Sequence, residues 1–180
     1  MFSVLKVCHR AVWAPSMQCR AIGSAFSRTL RHNDRKVMNI PVEVMYNVVA
    51  DVEKYVDFVP WCSKSIVRSK TENSANAKLV VGFGPVKEHY NSRLIFKQPK
   101  FVKAICTDGR LFNLLDCTWK FYPGNSPSSC IVDFNVVFEF RSLIYSRLAT
   151  MFFNEVVLKM VSAFETQAIK QHQKILLKQI

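Results

Sequence analysis

The chain has 180 residues, 25 Lys and Arg against 13 Asp and Glu, a formal charge of +12 and 49% hydrophobic residues, 14 of them Phe. That length favours one domain with a sizeable core, and so much apolar side chain excludes a solvated, disordered polymer. No apolar run approaches the roughly 20 residues of a transmembrane helix. A charge of +12 also suggests a nucleic-acid binder, unless that charge sits outside the folded domain.

From the start, the first acidic residue is Asp34, and before it lie Lys6, Arg10, Arg20, Arg28 and Arg31 among Ser3, Ser16, Ser24, Ser27 and Thr29. Arg- and Ser-rich, acid-free and patchily apolar, residues 1–33 have the composition of a mitochondrial transit peptide, with cleavage expected between Arg20 and Asp34. No run of 7–15 apolar residues follows the basic start, so a secretory signal fits worse. Without these residues 20 basic side chains face 13 acidic ones, a charge of about +7. That remainder is scattered, with no Lys/Arg run of nucleic-acid-binding length. A mildly basic surface facing anionic lipid is the better expectation, and no nucleic-acid partner is expected.

Cysteines stand at 8, 19, 62, 106, 117 and 130. None forms a C-x-x-C pair or has a His at zinc spacing, so free thiols and no metal are expected. From Ile40 the pattern turns helical. Pro41 suits a helix start, Glu43 lies in its first turn, and Val44, Met45, Val48, Val49 and Val52 make one apolar stripe. A second short helical turn is predicted over Val52–Phe58, stopped by Pro60.

After Trp61 the period becomes two, and strands are predicted at Ser63–Lys70, Ala77–Phe83, Glu88–Gln98, Phe101–Asp108, Asn113–Tyr122 and Cys130–Arg141. In the last of these Val132, Phe134, Val136, Phe138 and Phe140 share one face. Short turns between successive strands imply an antiparallel sheet. From Leu143 to His172 the period is helical again, with Ala149, Phe152, Phe153, Val156, Val157, Met160, Val161, Phe164 and Ala168 on a broad apolar face. Residues 173–180 read as a basic amphipathic tail, which leaves 34–172 as the domain. The fold class is therefore α+β: two short helices, a curved antiparallel sheet, and one long C-terminal helix as the sheet's cover, enclosing an apolar void suited to a ligand.

Catalytic signatures are lacking: there is no nucleophile elbow, P-loop, dinucleotide fingerprint or two-His zinc motif. Asp51, Glu53 and Asp57 flank a helix end on its solvent side, and Asp108 of Asp108-Gly109 reads as a turn residue. Tyr46, His89 and Asp116 are the polar side chains with a chance of facing a cavity. Two apolar features stand near turns. One is the knot Tyr55, Phe58, Val59, Pro60 and Trp61; the other is Gly82-Phe83-Gly84-Pro85-Val86, a turn carrying a Phe where polar residues are the default.

The motifs Tyr55-x-x-Phe58-Val59-Pro60-Trp61-Cys62, Gly82-Phe83-Gly84-Pro85-Val86 and Cys106-Thr107-Asp108-Gly109-Arg110-Leu111-Phe112-Asn113 come in a distinctive order. Asp133-Phe134, Phe138-Glu139-Phe140-Arg141-Ser142-Leu143 and the Phe152-Phe153 to Phe164-Glu165 helix follow. Over about residues 35–170 the chain resembles the mitochondrial coenzyme Q-binding proteins of the START-like (polyketide cyclase/dehydrase-related, SRPBCC) superfamily. It departs from them in a first strand before Ile40 that reads as abbreviated and in a short tail after His172.

The resemblance implies a START-like helix-grip fold that binds coenzyme Q (ubiquinone) in a hydrophobic tunnel. It implies a lipid chaperone or carrier, not an enzyme, supporting respiratory electron transport and ubiquinone biosynthesis from the matrix side of the mitochondrial inner membrane. No catalytic cofactor is expected; inner-membrane lipids and the respiratory-chain or quinone-biosynthesis complexes are the partners it suggests. The tunnel candidates are Phe58, Trp61, Val81, Leu94, Phe112, Trp119, Phe134, Val136, Phe138, Val157, Met160 and Phe164, with Tyr46, Trp61 or Trp119 as donors to the quinone head. Phe83, Pro85, Val86 and Lys87 form the expected gate or membrane loop. The alternatives are an aromatase- or cyclase-like enzyme on a hydrophobic substrate in the same cavity, and an assembly or RNA-associated factor using the basic surface.

Overall fold

The computed structural model describes residues 29–83, 86–108 and 111–178, with side chains for all of these except 83, 86 and 144–153. The elements run β1 (Thr29–Met38), α1 (Val42–Ala50), a 3-10 turn (Val52–Lys54), α2 (Tyr55–Phe58), β2 (Cys62–Lys70) and β3 (Ser74–Phe83). β4 (Val86–Lys97), β5 (Phe101–Cys106), β6 (Phe112–Pro123), β7 (Cys130–Phe140) and α3 (Leu143–Leu177) follow. All seven strands join one antiparallel sheet in the order β1-β7-β6-β5-β4-β3-β2. The fold is the START-like helix-grip architecture, a curved sheet with a long C-terminal helix across its inner face.

The six strands expected from the alternation form, with ends moved by at most three residues. Their inner faces carry the core: Leu94 and Phe96 from β4, Trp119 and Phe121 from β6, and Cys130, Val132, Phe134 and Val136 from β7 are all buried. Register shifts between Cys62 and Lys64, between Val67 and Ser69, and between Phe112 and Leu114 place extra residues on one strand. Such bulges bend a sheet, and here they help make one face concave. At one end of this trough α1 lays Val44, Met45, Tyr46, Val48 and Val49 into the core.

The seventh strand differs from expectation. β1 is ten residues long and pairs with β7 from Thr29↔Glu139 to Met38↔Cys130, so the first strand is not abbreviated. The folded sheet therefore reaches back into the segment 1–33 assigned to the leader. β1 turns Leu30, His32, Asp34, Lys36 and Met38 to the same side as Val132, Phe134 and Val136. Three of those five are polar, which hides the strand from a search for apolar alternation. They face the flank of α3, where Lys36 Nζ meets Glu165 Oε2 at 2.6 Å, a contact worth about 0–1 kcal/mol at an accessible site.

α3 is one helix of 35 residues, about 52 Å long at 1.5 Å per residue. It passes His172 without a break, so the expected tail is its last turns. Ala149, Phe152 and Phe153 of its expected apolar face have side chains outside the described residues. Beyond them Val157, Val161, Phe164 and Ala168 recur at helical spacing and are buried. Phe164 is the clasp. Its ring lies 5.1 Å from Tyr55, 5.2 Å from Phe58 and 5.0 Å from Trp119, which ties α3 to α2 and to β6 at once. Aromatic pairs at these distances add about 0.5–1.5 kcal/mol beyond the area they bury. Phe164→Ala is expected to cost about 3–5 kcal/mol of stability in urea unfolding. Leu158→Ala, on the same helix but 57% exposed, should cost no more than about 0.5 kcal/mol; equal losses would show that α3 is not held by this clasp.

Candidate functional site: an apolar cavity under the C-terminal helix

Where α1 and the aromatic clasp do not reach, the trough stays open inside. A cavity of about 200 Å³ lies there, walled by β2 to β7, by the junction from Val59 to Cys62, and by Val156, Val157, Met160 and Phe164 of α3. A dry apolar cavity of about 150 Å³ suffices for benzene, so this one admits a single substituted ring.

Ten of the twelve expected tunnel residues stand on its wall: Trp61, Val81, Leu94, Phe112, Trp119, Val136, Phe138, Val157, Met160 and Phe164. Phe58 and Phe134 do not. Phe58 packs outside the wall against Tyr55 at 5.8 Å and Phe164 at 5.2 Å, and Phe134 lies against Trp119 at 4.3 Å on the β1 side. Phe83 and Val86 are the last paired residues of the β3–β4 hairpin, and Lys87 beside them is exposed. The side chains of Phe83 and Val86, and all of Pro85, fall outside the described residues.

The polar candidates fare differently. Tyr46 is buried at the far end, edge-on to Phe121 at 5.8 Å, and is not on the wall. His89 alternates with wall residue Tyr90 and so belongs to the opposite face of β4. Asp116 pairs with Lys103 at 2.8 Å and is likewise absent from the wall. In their place the structure brings Tyr55, Cys62, Tyr90, Ser92 and Cys117 to the cavity. The signal for three of them was the inward alternation Tyr90, Ser92, Leu94 along β4 and Leu115, Cys117, Trp119 along β6.

Several of these groups are committed to the scaffold. Tyr55 donates its hydroxyl proton to the Val49 carbonyl at 2.6 Å, in the last turn of α1, where carbonyls lack helical partners. Ser92 donates to the Ile105 carbonyl at 3.4 Å, and the Cys62 thiol to the Lys64 carbonyl at 3.6 Å. Burial pushes the Cys117 thiol up to about 12, against a hydrogen bond with Trp119 that pulls it down. Cys62, Cys106, Cys117 and Cys130 are free thiols. Among the described residues no His, Cys, Asp and Glu gather as a metal site, and the described wall carries no Asp, Glu, His, Lys or Arg.

Trp61 joins the site to the fold through an unusual backbone. The Cys62 N–H donates to the Val59 carbonyl at 3.2 Å, closing a turn with Pro60 and Trp61 at its centre. Trp61 has φ 62°, the left-handed value that such a type II turn normally gives to Gly. A side chain there costs on the order of 1–2 kcal/mol. The Trp61 carbonyl also accepts the Gly82 N–H at 2.9 Å, locking the strained turn to the end of β3.

The family model described as "Polyketide cyclase / dehydrase and lipid transport" matches residues 38–165, which takes in α1, the sheet from β2 to β7 and the clasp of α3. The chain belongs to that family. It is 47% identical over 144 residues to the mitochondrial coenzyme Q-binding protein COQ10 homolog B of Xenopus laevis, covering 79% of this chain and 59% of that protein. To the mitochondrial coenzyme Q-binding protein COQ10 of Drosophila melanogaster it is 41% identical over 135 residues, covering 74% and 56%. The chain thus spans somewhat more than half the length of these relatives. Among solved structures, the Zhui aromatase/cyclase from Streptomyces sp. R1128 superposes with a TM-score of 0.69 at 12% identity, over 79% of this chain and 95% of that one. At that identity the likeness shows the fold alone.

The raised thiols fix a direction for pH. Cys117 at about 12 and Cys130 at about 11 hold their protons in the folded protein above the ordinary thiol value of 9.0. The unfolded chain releases them first, so stability should fall as pH rises from about 9 toward 12. Urea unfolding at about pH 8 and about pH 11 should show the loss, and Cys117→Ala should shrink it; an unchanged slope in the variant would contradict the assignment.

Proposed function

We propose that the protein binds an isoprenoid quinone of the coenzyme Q type in this cavity and acts as a lipid chaperone or carrier rather than an enzyme. The observation that carries the reading is the ring-sized cavity whose described wall is mostly apolar and aromatic and carries no Asp, Glu, His, Lys or Arg. General acid–base catalysis favours a group that titrates near the working pH, and burial holds the wall's phenols and thiols, Tyr55, Tyr90, Cys62 and Cys117, protonated, whereas binding needs only apolar surface and a few polar contacts. The names of the Xenopus and Drosophila relatives support the quinone as ligand and the mitochondrion as the compartment.

Each buried CH₂ of a prenyl tail contributes about 0.8 kcal/mol. The cavity takes the ring or the first part of the tail, and the remainder of the tail extends beyond it. Unloading requires a membrane, for which two surfaces are suited. The hairpin offers Phe83, Pro85, Val86 and exposed Lys87. The end of α3 leaves Ile169, Ile175, Leu176 and Leu177 exposed, beside Lys170, Lys174 and Lys178, which repeat every fourth residue along one stripe. Each lysine near an anionic leaflet gains about 1 kcal/mol. Among the described residues no helix is long and apolar enough to cross a membrane, so the contact proposed is peripheral. In this reading the acid-free N-terminal segment, cut between Arg20 and Asp34, serves as the import signal, and the carrier works on the matrix side of the inner membrane, supporting respiratory electron transport and ubiquinone biosynthesis.

Ala104 is a small residue on the cavity wall, and Ala104→Phe would put a ring into the void. The wild-type protein purified from a ubiquinone-producing host should yield extractable quinone by mass spectrometry. The variant, still folded by circular dichroism, should carry at least about tenfold less, because the void it fills is the ligand's. Wild-type protein devoid of quinone, or equal loading of the variant, would overturn the proposal. Consumption of the bound lipid with release of a chemically altered product would favour the cyclase-like reading instead.

A further inference from the structure

On the described part of the cavity wall, the Tyr90 hydroxyl is a polar group that the fold leaves unused. The hydroxyls of Tyr55 and Ser92 and the thiols of Cys62 and Cys117 are bonded to the scaffold, and Trp61 has a contact of its own. Tyr90 sits edge-on to Phe112 at 5.2 Å, which fixes its ring. Among the described residues its hydroxyl has no hydrogen-bond partner, and Tyr90 lines the cavity.

We infer that Tyr90 donates a hydrogen bond to a carbonyl oxygen of the ring bound in the cavity, and so selects carbonyl-bearing ligands over hydrocarbons of the same shape. This rests on the carrier reading above and adds its point of specificity. A hydroxyl without a partner beside an apolar void is less well satisfied than one in water, so a ligand that supplies an acceptor recovers what the site lacks. A site built around such a group rejects analogues that leave it unpaired. Burial, with the nearby thiols of Cys117, Cys62 and Cys106, raises the phenol well above its ordinary value of 10.0, so the group stays a donor at every physiological pH. Tyr90 thereby takes the role that the sequence had offered to Tyr46, Trp61 and Trp119.

The test compares Tyr90→Phe with wild type in the full-length protein, using a ubiquinone with a short prenyl tail and the corresponding prenylated benzene without carbonyls. Binding is read by quenching of the cavity tryptophans. Tyr90→Phe should weaken the quinone about tenfold, equal to about 1.4 kcal/mol, and leave the hydrocarbon unchanged. Because the variant removes an unpartnered hydroxyl and keeps the ring, its urea midpoint should not fall. In the infrared, the quinone C=O band should shift to lower frequency on wild-type protein and lose that shift on the variant. Equal quinone affinity in the two proteins, equal weakening of both ligands, or an unshifted carbonyl band on wild type would overturn the inference while the carrier reading stands. Failure of wild-type protein to bind either ligand would overturn the carrier reading itself.

Discussion

A curved antiparallel sheet with one apolar face cannot stand alone in water, and a single helix has to cover it. α3 meets that demand unevenly. At one end Val161, Phe164 and Ala168 sink into the core and Phe164 locks against Tyr55, Phe58 and Trp119. Beside the clasp, Val156, Val157 and Met160 face the strands across an apolar space. The cavity is that space: the clasp that fixes the cover also fixes where the cover fails to touch. Several wall residues, Trp119 and Phe164 among them, belong to the core and to the cavity together, so the cavity wall is built from the core itself.

The junction between α2 and β2 shows the same economy. Tyr55 closes the end of α1 through Val49, lines the cavity and stacks on the clasp. Trp61, held at a backbone angle foreign to large side chains, brings its own bulk to the wall and its carbonyl to the end of β3. Strain of this kind persists where neighbouring contacts over-determine the backbone, and it collects at functional sites. What the wall presents is an apolar void, thiols kept protonated by burial, and the phenols of Tyr55 and Tyr90.

What the sequence revealed follows from whether the inward residues are apolar. β7 reads plainly, because Val132, Phe134, Val136, Phe138 and Phe140 alternate without exception. β1 stays hidden, because its inward positions His32, Asp34 and Lys36 are polar: Asp34 and Lys36 lie beside Glu165 of α3 and His32 lies beside Phe134. Membership of the cavity wall is harder still. Phe134 and Phe138 have identical signals two strand steps apart, yet Phe134 packs against Trp119 while Phe138 borders the void. Only the depth of the trough separates them, and depth is a property of the assembled sheet and helix. Tyr90 escaped notice for a related reason: a lone phenol in a strand looks like a surface residue until its neighbours Ser92 and Leu94 set its face.

The central claim is that a lipid ring enters the space between α3 and the sheet, and the methionines report on it independently of any variant. Met160 borders the cavity, while Met45 is fully buried with α1 at the opposite end and Met38 lies beside it in the core. In a protein labelled with ¹³C at the methionine methyls, titration with a short-tailed ubiquinone should move the Met160 resonance and leave those of Met45 and Met38 in place. A spectrum in which Met160 does not respond, or in which Met45 and Met38 shift as far, would contradict the account.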